Sequence, residues 1–263
     1  MITNRGNDGA SRLFEFSQGQ LSILKRLIVV GDLHGDMRPL ESILTIFDPR
    51  SDAVVFLGDY ADRGTEGIEV IEAVDRLARR YPNNVVTLKG NHEDYSLSGE
   101  PLFSPCNLVY EAETKKGGWR RYFEQEFSPF KDRLYLAAIL PGRYLFVHGG
   151  ISSRIAKLDD LRKPRVRIEA DILWSDPITG YGEQPNPRGA GVCFGEDITA
   201  QVCDRLDVSR IIRSHEPQKA AKGPFYEHGG RIVTVNATSV YGGRPFALMI
   251  DIERRSDLSH IFL

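Results

Sequence analysis

The feature that most restricts the fold is a repeated junction. A short apolar, β-branched run stops at a glycine and continues in acidic, imidazole or amide side chains. Residues 27–30 run into Gly31-Asp32-Leu33-His34-Gly35, residues 53–57 into Gly58-Asp59-Tyr60-Ala61-Asp62-Arg63-Gly64, and residues 85–88 into Lys89-Gly90-Asn91-His92-Glu93. Apolar runs of this length, bounded by glycine, read as buried strands. Helical spacing follows the first two: Leu40, Ile43, Leu44 and Phe47 share one face, and Ile68, Ile71, Val74, Leu77, Ala78 and Tyr81 share another before Pro82 ends the helix. Strand, polar turn and helix in alternation form the α/β signature, and open α/β sheets hold ligands at the carboxyl ends of their strands.

The pattern loosens over residues 95–130, where Trp119, Tyr122, Phe123 and Phe127 predict an amphipathic helix with an aromatic stripe facing the core. Residues 134–140 and 143–147 flank Pro141-Gly142 as a β-hairpin that ends in His148-Gly149-Gly150. The basic run Arg162-Lys163-Pro164-Arg165-Val166-Arg167 reads as a solvated surface loop. Residues 179–191 read as a Gly/Pro-rich loop long enough to carry function. Strands at 210–213, ending in Ser214-His215, at 231–235, ending near Asn236, and at 246–252 and 260–263 make the C-terminal half β-rich. Residues 1–20 read as a flexible or loosely docked arm and 21–263 as a single domain.

Composition excludes several partners. A net charge of -2 and a pI near 6.3 argue against broad adhesion to nucleic acid or anionic membrane. A phosphate site remains open, because it needs only a few placed cations. Cys106, Cys193 and Cys203 lack CxxC spacing, which fits a reducing compartment without a disulfide framework. Residues 1–20 lack the apolar core of a signal peptide, and no apolar run reaches membrane-spanning length. The expected location is the cytoplasm.

Taken together, the strand ends present Asp32, His34, Asp59, Asn91, His92, His148 and His215 to one sheet edge. Each alone has a bland reading as a cap or a satisfied polar group; their recurrence points to a shared site. Asp32 and His34 alternate, so both lie on one face of an extended segment, as two ligands of one metal require. Carboxylate, imidazole and amide oxygen without thiolate suit Mn²⁺, Fe or Zn²⁺. The candidates are too many for one ion, and two ions need a bridging carboxylate, for which Asp59 is the leading candidate. Arg63, within one turn of Asp59, and Arg188, in Asn186-Pro187-Arg188-Gly189, offer guanidinium forks for phosphate oxygens.

The segments at Gly31, Gly58 and Gly90 resemble, in order and spacing, the three signature segments of PPP-family serine/threonine phosphatases, within the calcineurin-like metallophosphoesterases. The resemblance continues through His148-Gly149-Gly150, Leu173-Trp174-Ser175-Asp176-Pro177, the Asn186–Gly195 region, Arg213-Ser214-His215 and Tyr241-Gly242-Gly243. It implies a mixed α/β (α+β) metallophosphoesterase fold, a central β-sandwich flanked by helices in four layers. It also implies two divalent metal ions, Mn²⁺ first and Fe or Zn as the alternatives. Asp32, His34 and Asp59 would hold one, and Asp59, Asn91, His148 and His215 the other. A metal-bridging hydroxide would attack phosphorus directly, Arg63, Arg188 and Asn91 would bind the phosphate, and His92, oriented by Asp62, would protonate the departing oxygen. The implied substrates are phosphoserine and phosphothreonine in proteins or peptides.

The chain departs from its eukaryotic relatives at Glu216-Pro217, where they usually carry glutamine after the histidine. Residues 237–243 keep the tyrosine and the last glycine but lose the Ala-Pro-Asn-Tyr-Cys core, and the N-terminal helical segment is short or missing. These departures resemble a free-standing prokaryotic or archaeal-type member. The competing readings are a small-molecule phosphohydrolase, such as a symmetrical dinucleoside tetraphosphatase, and a scaffold relative with a dead site. Trp174-Ser175-Asp176-Pro177 and Arg188 favour the protein substrate, and the complete ligand set disfavours the scaffold.

Overall fold

The computed structural model describes residues 11–254 and 258–263. Along the chain the elements are β1 Leu13–Glu15, α1 Gln18–Leu21, β2 Arg26–Val30, α2 Met37–Ile46, β3 Asp52–Phe56, α3 Gly67–Arg80 and β4 Val85–Thr87. Then come α4 Leu108–Lys115, α5 Trp119–Tyr122, a π-helical segment Phe123–Phe127, α6 Ser128–Lys131, the strands β5 Ala137–Leu140 and β6 Tyr144–Val147, α7 Asp159–Arg162 and α8 Val166–Trp174. The rest is β7 Asp176–Pro177, β8 Glu183–Pro185, β9 Val192–Phe194, α9 Glu196–Leu206, β10 Arg210–Arg213, β11 Phe225–Glu227, β12 Ile232–Thr234, β13 Phe246–Asp251 and β14 Leu258–Phe262.

Side-chain alternation along the strands builds the layers, because successive residues point to opposite faces. In the sheet β14-β13-β2-β3-β4, Leu27, Val29, Ala53 and Val55 pack inward. They meet Ala138, Leu140, Tyr144, Phe146, Ile212 and Val233 from the facing sheet β1-β5-β6-β10-β12-β11. Ile28, Val30, Val54 and Phe56 point the other way, onto Leu40, Ile43, Ile68, Ile71 and Val74 of α2 and α3 and onto the aromatic stripe of Tyr122, Phe123 and Phe127. On the far side, Leu145, Val147 and Ile211 meet Ile168 and Ile172 of α8 and Ile198, Val202 and Leu206 of α9. The result is four layers: helices, sheet, sheet, helices.

Strands β2, β3 and β4 run parallel, as do β6, β10 and β12. Within each sheet their carboxyl ends therefore emerge at one edge, and the bonds from His148 to Leu57 and from Ser214 to Asp32 join the two edges. Among the described residues, no helix is long and apolar enough to cross a membrane.

Three readings need correction. Residues 11–20 are not a loose arm: Leu13–Glu15 pairs with β5, Leu13 and Phe16 are buried, and Ser17 caps α1. Residues 1–10 lie outside the described residues. The basic run is solvated but is a loop only at Lys163, Pro164 and Arg165, since Arg162 ends α7 and donates to both Glu15 carboxylate oxygens at 2.8 Å, and Val166 and Arg167 open α8. Residues 179–191 are not structureless either, because Glu183–Pro185 pairs with β9 in the small sheet β7-β9-β8.

Candidate active site

The strand ends are drawn together by backbone contacts before any side chain acts. The N–H groups of Leu33 and His34 donate to Asp59 O at 3.0 and 2.9 Å, and Gly35 N–H donates to Tyr60 O at 2.8 Å. Gly58, with φ +105°, packs directly on the backbone of Gly90, so the β3 and β4 ends meet with no room for a side chain. Glu93 ties the same junction. Its Oε2 accepts from Asp59 N–H and Gly90 N–H, both at 2.9 Å, and its Oε1 from Tyr60 N–H at 3.0 Å. Burial pushes the Glu93 carboxyl up to about 7, against the pull of those three donors. His34, Asp59, Asp62, Arg63 and His215 all adopt left-handed backbone. Such non-glycine conformations persist where the surroundings over-determine them, commonly at active sites.

The side chains then converge on two centres. His34 donates from Nδ1 to Ala61 O at 2.9 Å, so its Nε2 carries a lone pair, which faces Asp32 Oδ2 at 3.8 Å and Asp59 Oδ2 at 3.6 Å. His148 donates from Nδ1 to Leu57 O at 2.9 Å, which bridges the two large sheets. Its Nε2 lone pair faces Asn91 Oδ1 at 2.9 Å, His215 Nδ1 at 3.2 Å and Asp59 Oδ1 at 3.4 Å. Burial pushes the His34 and His148 imidazoles down to about 4 and lowers that of His215 as well, so all three are neutral at physiological pH. Burial, then the charges of Asp32 and Glu93, hold the Asp59 carboxyl well above the usual carboxylate range. Asp32 Oδ2 and His215 Nε2 are buried without hydrogen-bond partners. Electron pairs facing electron pairs in a buried cleft repel unless a cation lies among them. The donor set therefore fits divalent metal ions.

His92 stands beside both centres. Its Nδ1 donates to Asp62 Oδ2 at 2.8 Å, and its ring packs on Phe103 at 4.5 Å and edge-on to His34 at 4.9 Å between centroids. Asp62 is fully buried, and its Oδ1 accepts from Asn107 N–H at 2.5 Å and Leu108 N–H at 2.8 Å, at the start of α4. Burial alone would raise the Asp62 carboxyl; the bond to His92 and its charge, with the two N–H donors, hold it below the usual range. By distance alone His92 also qualifies as a ligand, since His34, Asp59 and His92 each place a donor atom within 4.8 Å of the others.

The arginines lie at the mouth. Arg188 donates from Nε to Asp176 Oδ2 at 2.8 Å, and among the described residues its Nη groups take no hydrogen bond. Arg63 is exposed, and its charge and that of Arg188 both act on the Tyr241 hydroxyl. The structure thus brings Asp32, His34, Asp59, Asp62, Asn91, His92, His148 and His215 within a few ångströms of one another, while Arg63 and Arg188 touch none of them by hydrogen bond among the described residues.

Sequence reasoning passed over two supporting residues. Ser214 Oγ–H donates to Asp32 Oδ1 at 2.5 Å and accepts from Asp32 N–H at 2.8 Å. Asp176 holds both Arg188 and the fully buried Arg213, whose Nη2 lies 2.9 Å from Asp176 Oδ1. The available signal was their place inside quoted motifs, Asp176 in Trp174-Ser175-Asp176-Pro177 and Ser214 between Arg213 and His215 at the end of β10.

The chain is similar to known proteins over most of its length. The calcineurin-like phosphoesterase family matches residues 25–219. A serine/threonine-protein phosphatase of Caenorhabditis elegans is 36% identical over 88% of this chain and 51% of its own length. The PP1-delta serine/threonine-protein phosphatase of the same organism is 32% identical over 89% of this chain and 77% of its own length. Among solved structures, a protein serine/threonine phosphatase from Saccharomyces cerevisiae with similarity to human phosphatase PP5 superposes with a TM-score of 0.79. It is 26% identical, with 96% of this chain and 84% of that one covered. The chain spans about half the length of the first of these relatives. With the four layers and the strand-end cluster in place, these likenesses put the chain in the calcineurin-like phosphoesterases and, within them, in the PPP family of serine/threonine phosphatases.

Proposed function

We propose that the chain is a dimetal-dependent phosphomonoester hydrolase that removes phosphate from phosphoserine and phosphothreonine in proteins. One observation carries this reading: an imidazole, His92, committed through Nδ1 to the buried Asp62 carboxylate, abuts a buried cluster of carboxyl and imidazole donors. Family membership implies divalent metal ions. Asp32, His34 and Asp59 would hold one and Asp59, Asn91, His148 and His215 the other, with Mn²⁺ the first candidate and Fe or Zn²⁺ next. Ions bound there would activate water for in-line attack and neutralise phosphoryl oxygens.

The chain's own groups supply the rest. Arg188, braced at Nε by Asp176, turns its Nη groups to the phosphate oxygens, and Arg63 closes on them from the other loop. Asn91 adds an amide donor. His92 gives a proton from Nε2 to the departing serine or threonine oxygen, while Asp62 fixes the ring and stabilises its charged form. The prokaryotic or archaeal-type assignment rests on Glu216 and the altered loop 237–243. A cytoplasmic setting fits Cys106, Cys193 and Cys203, all free thiols.

The test is a metal-supplemented comparison of a phosphoserine peptide, diadenosine tetraphosphate and a cyclic nucleotide. Peptide turnover supports the reading. Turnover of the dinucleotide alone assigns the site to small molecules instead.

A further inference from the structure

Asp36 stands at the N-cap of α2, where an aspartate ordinarily accepts an N–H from the first turn of its own helix. It makes no such bond. Its Oδ2 instead accepts from Ser239 N–H at 3.0 Å and from Ser239 Oγ–H at 2.6 Å. The carboxylate is 7% exposed, and the nearest cation, Arg38, lies 3.8 Å away on a side chain that is 83% exposed. Ser239 is in turn built into the loop that carries Tyr241. Its carbonyl accepts from Gly242 N–H at 2.8 Å, so Ser239 opens a turn in which Tyr241 is the third residue. Thr238 braces that turn, accepting at Oγ1 from Val240 N–H at 3.2 Å, and is itself held by Asn236 Oδ1 at 3.0 Å. The Tyr241 ring stands edge-on to His34, with centroids 5.5 Å apart.

We infer that Asp36 and Ser239 form a positioning latch that sets Tyr241 at the mouth of the site and so fixes how the polypeptide flanking the phosphate is held. This rests on the reading of the chain as a phosphoprotein phosphatase. In the Ala-Pro-Asn-Tyr-Cys core that this loop has lost, the proline falls two residues before the tyrosine, at the place of Ser239. Proline has neither N–H nor hydroxyl to donate and stiffens the turn by itself. The chain without that proline turn has two donors at the same position and a carboxylate released from capping to receive them.

The test compares Ser239→Ala, Asp36→Ala, the double variant and Ser239→Thr, all metal-loaded, by amide exchange over residues 236–243 and by kinetics on a phosphoserine peptide and p-nitrophenyl phosphate. Each alanine variant should speed exchange in that segment and raise peptide KM about tenfold, the scale of one hydrogen bond to a charged group. Turnover of p-nitrophenyl phosphate should stay within about twofold. The double variant should be no worse than either single one, and Ser239→Thr should restore both readouts. In a Tyr241→Ala background, Ser239→Ala should raise KM no further. Additive losses, equal losses on both substrates, or unchanged exchange would overturn the latch. A wild-type protein inactive on phosphopeptides refutes the functional reading separately, and exchange with double-variant coupling still decides the latch.

Discussion

His92→Asn separates the two jobs that its position admits, metal ligand and general acid. The backbone N–H of His92, which donates to Asp59 Oδ1 at 2.9 Å, survives the substitution, so the Asp59 carboxylate keeps its orientation. Asp62 loses one bond but keeps Asn107 and Leu108 N–H on its other oxygen, so the start of α4 stays in place. The lost bond to a charged, buried partner should cost about 1.5–3 kcal/mol of stability. If His92 is the acid, two metal ions per chain remain. The rate on a phosphoserine peptide falls about 10²–10⁴-fold, a barrier rise of roughly 2.7–5.4 kcal/mol. On p-nitrophenyl phosphate, whose leaving group needs no proton, the loss stays below about tenfold. Metal analysis of the purified variant and steady-state kinetics on both substrates read these outcomes. Equal losses on the two substrates, or the disappearance of one ion, would refute the acid assignment.

Asp59→Asn should lose metal and activity together, because both centres share that carboxylate; retained turnover would argue against bridging. Gly90→Ala should act through the same group, since a Cβ there would collide with Asp59 Oδ1 and its backbone N. A fall in Tm equivalent to about 1–3 kcal/mol, with weakened metal binding, is expected, and unchanged metal affinity would contradict it. Metal loading should release protons at pH values where an ordinary carboxyl has none left to give. The metal-free Asp59 carboxyl, raised by burial and by Asp32 and Glu93, holds a proton that the ion must displace, whereas the buried imidazoles at about 4 have none to give. Affinity should therefore rise with pH, and calorimetry in buffers of different ionisation enthalpy would show no buffer dependence if this is wrong.

The strand-end cluster was legible because each candidate ligand follows an apolar run that reads as a buried strand. The sandwich was less so. Its alternation shows in Leu27–Ile28–Val29–Val30 only after the second sheet is known, since every one of these residues is buried. Strand β1 escaped because three residues carry too little pattern, and its partner β5 lies more than a hundred residues away. The sheet β7-β9-β8 hid for the same reason, inside a stretch whose glycines and prolines read as loop. Helix α9 was open to discovery: Ile198, Val202, Cys203 and Leu206 have helical spacing and all are buried. The Asp36–Ser239 contact could not have been read in advance, because an aspartate before a helix reads as a cap by every local rule.

The account turns on two ions sharing Asp59. Anomalous scattering from crystals grown with Mn²⁺ tests that directly. Two peaks are predicted, one bounded by Asp32, His34 and Asp59 and the other by Asp59, Asn91, His148 and His215. A single peak, or one ligated by His92, would contradict it.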